Sequence, residues 1–439
     1  MERIKYSTMK TIQYMGSKDK ILPFLDACFT HYLQDFSIEN SKVLFDAFAG
    51  SGRVSYYFRH RFTVVSADKL HFPKTILSSY LCTPYQPQHF QEKINILNNL
   101  PDSFFAKTDK WFTETYGGDW NDGKSEDING VKKIWLDKNS RKIDSIRTQI
   151  QLWKDNNEIT EAEENVLLLA LILGINKISN VVGHQNGYLK TWCFNAQNDL
   201  LLTIPDIEMT KNSAHKQFVG DIFEIIDKVQ ADIAYFDPPY GTNNKKIAVS
   251  TRYSSFYHLW NTLVTNERPC VFGKAHKPIQ TKGYTEAMER NKREVVIPKF
   301  IRLIEEVRAS IVAFSYSNQG LLTAKDFAEI YRLAGCDMDT YRVYTIPHVV
   351  NNQSKLAKKD GAWIDRESHT EDLIEYLFIA CKNPLRYAMK ERTTTPNLSV
   401  DIESIPVVDA WLKQPISSTL PSPRWEYRED GWYRIKDHT

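Results

Sequence analysis

Asp237, Pro238, Pro239 and Tyr240 follow directly on a short apolar run, Ile233 to Phe236. The run is rich in β-forming residues and reads as a buried strand. Two prolines stop it, because a proline nitrogen can neither donate to a sheet ladder nor continue a helix. Asp237 therefore falls at a strand tip. The locked φ angles leave the carbonyls of Asp237 and Pro238 outside a regular ladder, so a carboxylate and a rigid backbone acceptor can face one point, with Tyr240 close behind. Such a site grips a planar amine: two acceptors take its protons and an aromatic ring lies against its π-face. Methyl transfer to a nucleobase nitrogen requires that arrangement. The same four residues also make a good turn, so other stretches must decide between the two readings.

The elements that would position such a site are βα units. Lys42 to Phe48 reads as a strand, followed at once by Ala49-Gly50-Ser51-Gly52 and a helix from about Arg53 to His60. A strand, a Gly-x-Gly turn and a helix let the backbone pass close to a ligand at a helix N-terminus, although the third glycine of the dinucleotide fingerprint is missing. The next strand, Phe62 to Ala67, ends in Asp68. An acid there either accepts from both hydroxyls of a ribose or caps the following helix. Phe218 to Phe223 repeats the pattern, with Asp221 at the tip and Ile222 beside it. Asp221 either accepts from an adenine amino group while Ile222 packs the ring, or it is a helix N-cap. Near the start, Tyr14-Met15-Gly16-Ser17-Lys18 precedes a helical spacing of Ile21, Leu22, Phe24 and Leu25. A Gly-Ser-Lys turn presents free N–H groups and one cation to an anion, or is a surface turn with a solvated lysine.

Composition narrows the class. At 439 residues with 42% hydrophobic content the chain can bury more than one lobe, while a net charge of +2 shows no global nucleic-acid footprint. The six cysteines are scattered without Cys-x-x-Cys or Cys/His spacing, which argues against disulfide or zinc frameworks and for a reducing compartment. No metal site is expected. The most apolar run, Val166 to Ile175, is too short to span a bilayer, so a cytoplasmic protein with no membrane partner is expected.

Between Pro84 and Lys216 the βα rhythm lapses. A turn-rich tract, Gly117 to Gly123, leads into a basic stretch around Lys132, Lys133, Lys138, Arg141, Lys142 and Arg147. Thr160 and Glu163 then form a capping-box pair ahead of an apolar helix at Val166 to Leu173. Asn180 to Phe194 mixes amides, aromatics and glycines in a way that suits base edges and phosphates, as it also suits a solvated loop. Downstream come a tyrosine-rich loop (Tyr253, Phe256, Tyr257), His258, read as structural, and a strand at Ser310 to Tyr316. Thr340 to Ile346 and Leu373 to Ala380 read as an antiparallel pair, since no helix separates them.

Taken together these motifs resemble the Dam-like, alpha-group family of DNA adenine-N6 methyltransferases. The resemblance runs from about Thr11 to Ala380, and the order of the Gly-Ser-Lys entry, the Asp-x-Phe-x-Gly-x-Gly turn, the acidic strand tip and Asp-Pro-Pro-Tyr carries it. It implies an α/β fold: a Rossmann-like methyltransferase sheet with helices on both faces and an inserted, mainly helical target-recognition region. It implies S-adenosylmethionine across the strand tips, with Tyr14 and Lys18 at the methionine end, Asp46 and the Phe48 to Gly52 turn supporting it, Asp68 on the ribose, and Asp221 and Ile222 on the adenine. Tyr14 stands where that family commonly carries Trp. Asp237, Pro238, Pro239 and Tyr240 would then hold an everted adenine of double-stranded DNA beside the donor methyl, with Asp237 bordering the cofactor too. The expected divisions are 1–83 and 217–382 for the catalytic domain, 84–216 for target recognition and 383–439 for a C-terminal extension without an assigned role. Lys245, Lys246, Lys355, Lys358 and Lys359 are the expected phosphate contacts. A cognate restriction endonuclease is an expected partner, and DNA would hold the protein at the nucleoid. Rival readings keep the fold and change the acceptor to cytosine-N4 or to adenine in RNA, or keep only DNA binding without turnover. Asp237 favours adenine, because Ser usually replaces it in the cytosine enzymes.

Overall fold

Seven strands form the sheet that carries the site, the central ones as apolar runs. In chain order they are β1 (Val43–Asp46), β2 (Thr63–Asp68), β3 (Lys216–Val219), β4 (Gln230–Phe236), β5 (Arg308–Ser317), β6 (Asp337–His348) and β7 (Leu373–Cys381). The computed structural model describes residues 9–83, 87–185, 189–208, 214–242, 253–282, 287–348 and 373–382, with the backbone of short strands at 2–3, 407–408, 424–428 and 431–435. Lys245, Lys246, Lys355, Lys358 and Lys359 lie outside the described residues, as do Asn186 to Tyr188 of the amide-rich loop.

Across the sheet the order is β6-β7-β5-β4-β1-β2-β3, and Val407–Val408 adds a two-residue strand beside β6. β1, β2, β3, β4 and β5 pair in parallel, whereas β7 runs antiparallel to both β5 and β6, the latter as expected from the sequence. β1 and β4 are adjacent although a long stretch of chain separates them. From β1 the chain works outward to β3, then returns to β4 and works outward the other way. That reversal opens a crevice beyond the carboxyl ends of β1 and β4, where ligands of open α/β sheets bind. The start of β1 is pinned across this switch by Asp232, whose Oδ2 accepts from the backbone N–H groups of Lys42 at 2.7 Å and Val43 at 2.8 Å.

Strand pleating sorts the core into two layers. Leu44, Val64, Ile233 and Ile311 are in register on one face and pack with Phe24, Phe29 and Leu33 of α1 (Leu22–Asp35) and Phe58 of α2 (Arg53–Phe58). Phe45, Val65, Ala234 and Val312 face the other way. They pack with α8 (Ile222–Ile225), α11 (Arg293–Glu306) and α12 (Ala324–Leu333). Burial on both faces is why these strands read as continuous apolar runs rather than alternating ones.

A third core belongs to a helical lobe. It gathers α3 (His71–Leu81), α4 (Pro87–Asn98), α5 (Trp111–Tyr116), α6 (Asp137–Asp155) and α7 (Glu161–Ile178). α7 starts on the expected capping box: Thr160 Oγ1 accepts from the Glu163 N–H and Glu163 accepts from the Thr160 N–H. The lobe also takes in Tyr257, Leu259, Trp260 and Leu263, around α10 (His258–Thr265). Tyr116 donates its hydroxyl to the His276 carbonyl at 2.7 Å, and Lys132 N–H donates to the Lys274 carbonyl at 2.7 Å. Two charges of the basic stretch are interior: Lys132 Nζ donates to the Gln185 carbonyl and Arg147 Nε to the Leu263 carbonyl. Both tie segments of the lobe together. His258 is buried and its ring lies tilted beside Tyr116, in keeping with a structural role.

Candidate active site

The carboxyl ends of β1, β2, β3 and β4 are followed by acidic or glycine-rich residues that converge on one cavity of about 210 Å³. Its walls include Tyr14, Lys18, Phe48, Gly50, Asp68, Asp221, Ile222, Asp237, Pro239 and Tyr240. All ten were named from the sequence, and five separate stretches of chain bring them together. Three other residues named from the sequence, Asp46, Gly52 and Pro238, stand off the wall.

Asp46 lies behind the turn after β1, 1% exposed, and accepts the Ser55 hydroxyl of α2 at 2.6 Å. Burial pushes its carboxyl up to about 7; the Ser55 bond works against that shift, and Asp237 and Asp68 add to it. Its place is structural support for the turn. Gly52 is the residue before α2, with φ +80°, and a side chain there would collide with Leu77 and Met9 rather than with a ligand. Gly50 has φ +50°, and a Cβ on it would stand 2.8 Å from the Tyr14 ring. The bare backbone therefore lets Tyr14 and the turn close on the same space.

Asp68 holds this turn from the side. Its Oδ2 accepts from the Gly50 N–H and its Oδ1 from the Leu70 N–H, both at 2.9 Å. Burial raises its carboxyl to about 6, against those backbone donors. Asp221 caps α8, accepting from the Phe223 N–H at 3.0 Å, while Ile222 is buried against the cavity. Asp221 is thus the N-cap foreseen, whereas Asp68 orders the Gly50 turn instead of capping α3, whose N-cap is Leu70; both acids line the cavity.

Asp237 follows β4 directly and keeps 20% of its side chain exposed. Lys18 Nζ lies 3.1 Å from Asp237 Oδ1 and 3.5 Å from Glu375 Oε2. Burial works against the lysine charge, yet Asp237 and then Glu375 outweigh it and raise its pKa. Burial likewise lifts Asp237 to about 6, Lys18 pulls it down and Glu375 pushes it up. Tyr240 tilts against Tyr316, with ring centroids 4.2 Å apart, and lines the same cavity as Asp237. Pro238 is buried behind Asp237 and Pro239.

Sequence reasoning missed how the entry segment is held. Tyr14 stacks on Tyr257 at 4.4 Å between centroids and on Tyr253 at 5.7 Å. Met15 N–H donates to the Tyr257 hydroxyl at 2.7 Å, and Tyr253 N–H donates to the buried Glu289 at 2.8 Å. The tyrosine-rich loop noted in the sequence is thus the clamp on Tyr14. Glu375, Phe223 and Lys299 were also missed. Of these, Glu375 left a signal, since it is the one acid inside the apolar strand Leu373–Cys381.

A parallel sheet reversing between β1 and β4, with a glycine turn, an acidic second tip and a strand-end Asp-Pro-Pro-Tyr around one cavity, is the architecture of an open α/β sheet with its ligand crevice at the switch point. Residues 14–305 match the family described as D12 class N6 adenine-specific DNA methyltransferase, and the chain belongs to it. Its relatives include the type II methyltransferase M.FokI of Planomicrobium okeanokoites, 29% identical over 343 residues, covering 77% of this chain and 49% of that protein. The modification methylase StsI of Streptococcus sanguinis is 28% identical over 359 residues, covering 78% and 50%. The type II methyltransferase M.NlaIII of Neisseria lactamica is 26% identical over 329 residues, covering 74% and 89%. The chain spans about half the length of the first two relatives. Among the described residues no helix is long and apolar enough to cross a membrane.

Proposed function

We propose that this chain transfers a methyl group from S-adenosylmethionine to the N6 amine of an adenine turned out of double-stranded DNA, as the modification enzyme of a restriction system. The observation that carries the reading is the opening of Asp237 into the same cavity as the Gly50 turn, Asp68 and Asp221. The cavity suits the cofactor, because Gly50 lacks the Cβ that would fill the space against Tyr14. Asp68 would meet the ribose, Asp221 and Ile222 the adenine ring, and Tyr14 and Lys18 the methionine end. Bound there, S-adenosylmethionine supplies a methyl group on a sulfonium.

The residues of the chain do the rest. An everted adenine leaves its stack at a cost of about a few kcal/mol, which its new contacts must offset. Tyr240 offers a face for the ring. Asp237 accepts an amine proton, localises the nitrogen lone pair and aims it, so orientation and fixed charge supply much of the rate. As the nitrogen gains carbon it gives up one proton, which Asp237 is placed to take. Asp237 in place of Ser favours adenine over cytosine as the acceptor. DNA is the partner this chemistry requires, the 84–216 region is the proposed reader of sequence, and the cytoplasmic nucleoid is the proposed location.

The test is Asp237→Ala with labelled cofactor and mixed-sequence duplexes, followed by mapping of the modified base. The variant should lose transfer to adenine N6 while still binding DNA. Substantial residual transfer would refute the assignment of Asp237.

A further inference from the structure

We propose that Glu375 is a positioning residue for the transfer, serving as the second counter-ion of Lys18 so that Asp237 can give up its negative charge during the reaction. The inference rests on the function proposed above.

Glu375 sits on β7, opposite Ser317 of β5 and Ile346 of β6. It lies on the face of the sheet that α1 covers, where its neighbours in the strand, Leu377, Ile379 and Cys381, are all buried and apolar. A buried acid in such a strand is costly unless paired. Its side chain is 9% exposed, and among the described residues its Oε2 has no hydrogen bond; Lys18 Nζ at 3.5 Å is its ion-pair partner. Lys18 enters from the turn ahead of α1 and is itself 6% exposed. Three chain segments far apart in sequence therefore place one ammonium between two carboxylates, only one of which lines the cavity. The other groups facing Lys18 are Tyr235 and Tyr240, with Tyr253 nearby.

The stoichiometry has a purpose. Lys18 and Asp237 alone would be a balanced pair, and moving a proton onto Asp237 would leave a buried ammonium uncompensated. With Glu375 present, the ammonium keeps a partner when Asp237 becomes neutral. During transfer one N–H bond of the amine breaks and an O–H bond forms on Asp237, while positive charge moves from the donor side of the cavity toward the amine. A surplus carboxylate on the Asp237 side favours both changes.

The experiment compares Glu375→Gln, which removes the charge, with Glu375→Asp, which keeps it. In cofactor-free protein the Asp237 carboxyl, followed by carbon-13 NMR and assigned with Asp237→Asn, should titrate near 6 in the parent. In Glu375→Gln its midpoint should fall by about one pH unit, because a neighbouring like charge has been deleted. The acid limb of kcat should shift the same way, and plateau kcat should drop roughly tenfold, the rate equivalent of one pKa unit. Cofactor KM should change little. Glu375→Asp should titrate like the parent and recover most of kcat, which holds the test open if the amide variant folds poorly. An unshifted Asp237 midpoint in Glu375→Gln, or equal losses in both variants with no shift, would overturn the proposal in favour of a packing role. Failure of the parent itself to methylate adenine would instead refute the functional reading and leave the titration result standing.

Discussion

Asp46 gives the most quantitative prediction, because it is fully interior, interacts with Asp237 and is not on the cavity wall. Its carboxyl is raised from 3.8 to about 7 by burial, in spite of the bond from Ser55. A folded-state pKa above the unfolded value means that the folded protein holds a proton the unfolded chain has already lost. Stability is therefore greatest below about pH 4, falls as pH rises to about 7, and is flat beyond. Three units at 1.36 kcal/mol each make the full penalty about 4 kcal/mol, of which roughly two units, near 3 kcal/mol, are lost between pH 5 and 8.

Asp46→Asn keeps an oxygen to accept the Ser55 hydroxyl and never carries the charge. Denaturant unfolding of parent and variant at pH 5 and pH 8 should show the variant gaining on the parent by about 3 kcal/mol across that interval, since groups remote from Asp46 cancel in the difference. Cofactor affinity, by equilibrium dialysis, should stay within a few-fold of the parent, since Asp46 only supports the turn from behind. A stability difference that is flat with pH would refute the buried-charge argument. A large loss of cofactor affinity would show that Asp46 touches the ligand after all.

Two further substitutions test the turn and its clamp. Gly50→Ala forces an L residue to φ +50° and sets a methyl 2.8 Å from the Tyr14 ring. The left-handed backbone alone costs about 1–2 kcal/mol, so dialysis should show cofactor affinity down by roughly tenfold or more. Tyr257→Phe keeps the stack on Tyr14 but deletes the acceptor for Met15 N–H. A lost bond of about 1 kcal/mol should weaken cofactor binding around fivefold with kcat nearly unchanged, and an equal fall in kcat would place Tyr257 in the chemistry instead.

The parts of this fold that were readable in the sequence are those set by neighbours along the chain. β1, β2, β4 and β5 are apolar runs closed by an acid, a glycine turn or prolines, and Thr160 and Glu163 announce α7 three residues apart. The cavity residues after those strands were readable for the same reason, since a parallel sheet delivers every carboxyl end to one edge. What escaped depends on register between distant segments. Tyr253 and Tyr257 could be seen as an aromatic cluster, but their stacking on Tyr14 comes from α10 folding into the helical lobe. Lys132 and Arg147 read only as members of a basic stretch, because composition does not report which of its side chains turn inward. Glu375 differs from these. Its strand is apolar on both sides of it, so its isolation already implies a cationic partner from elsewhere in the chain. Lys18, ahead of a helix that covers that same face, meets the requirement. A charge that is out of place in a strand is thus a long-range contact visible in one dimension.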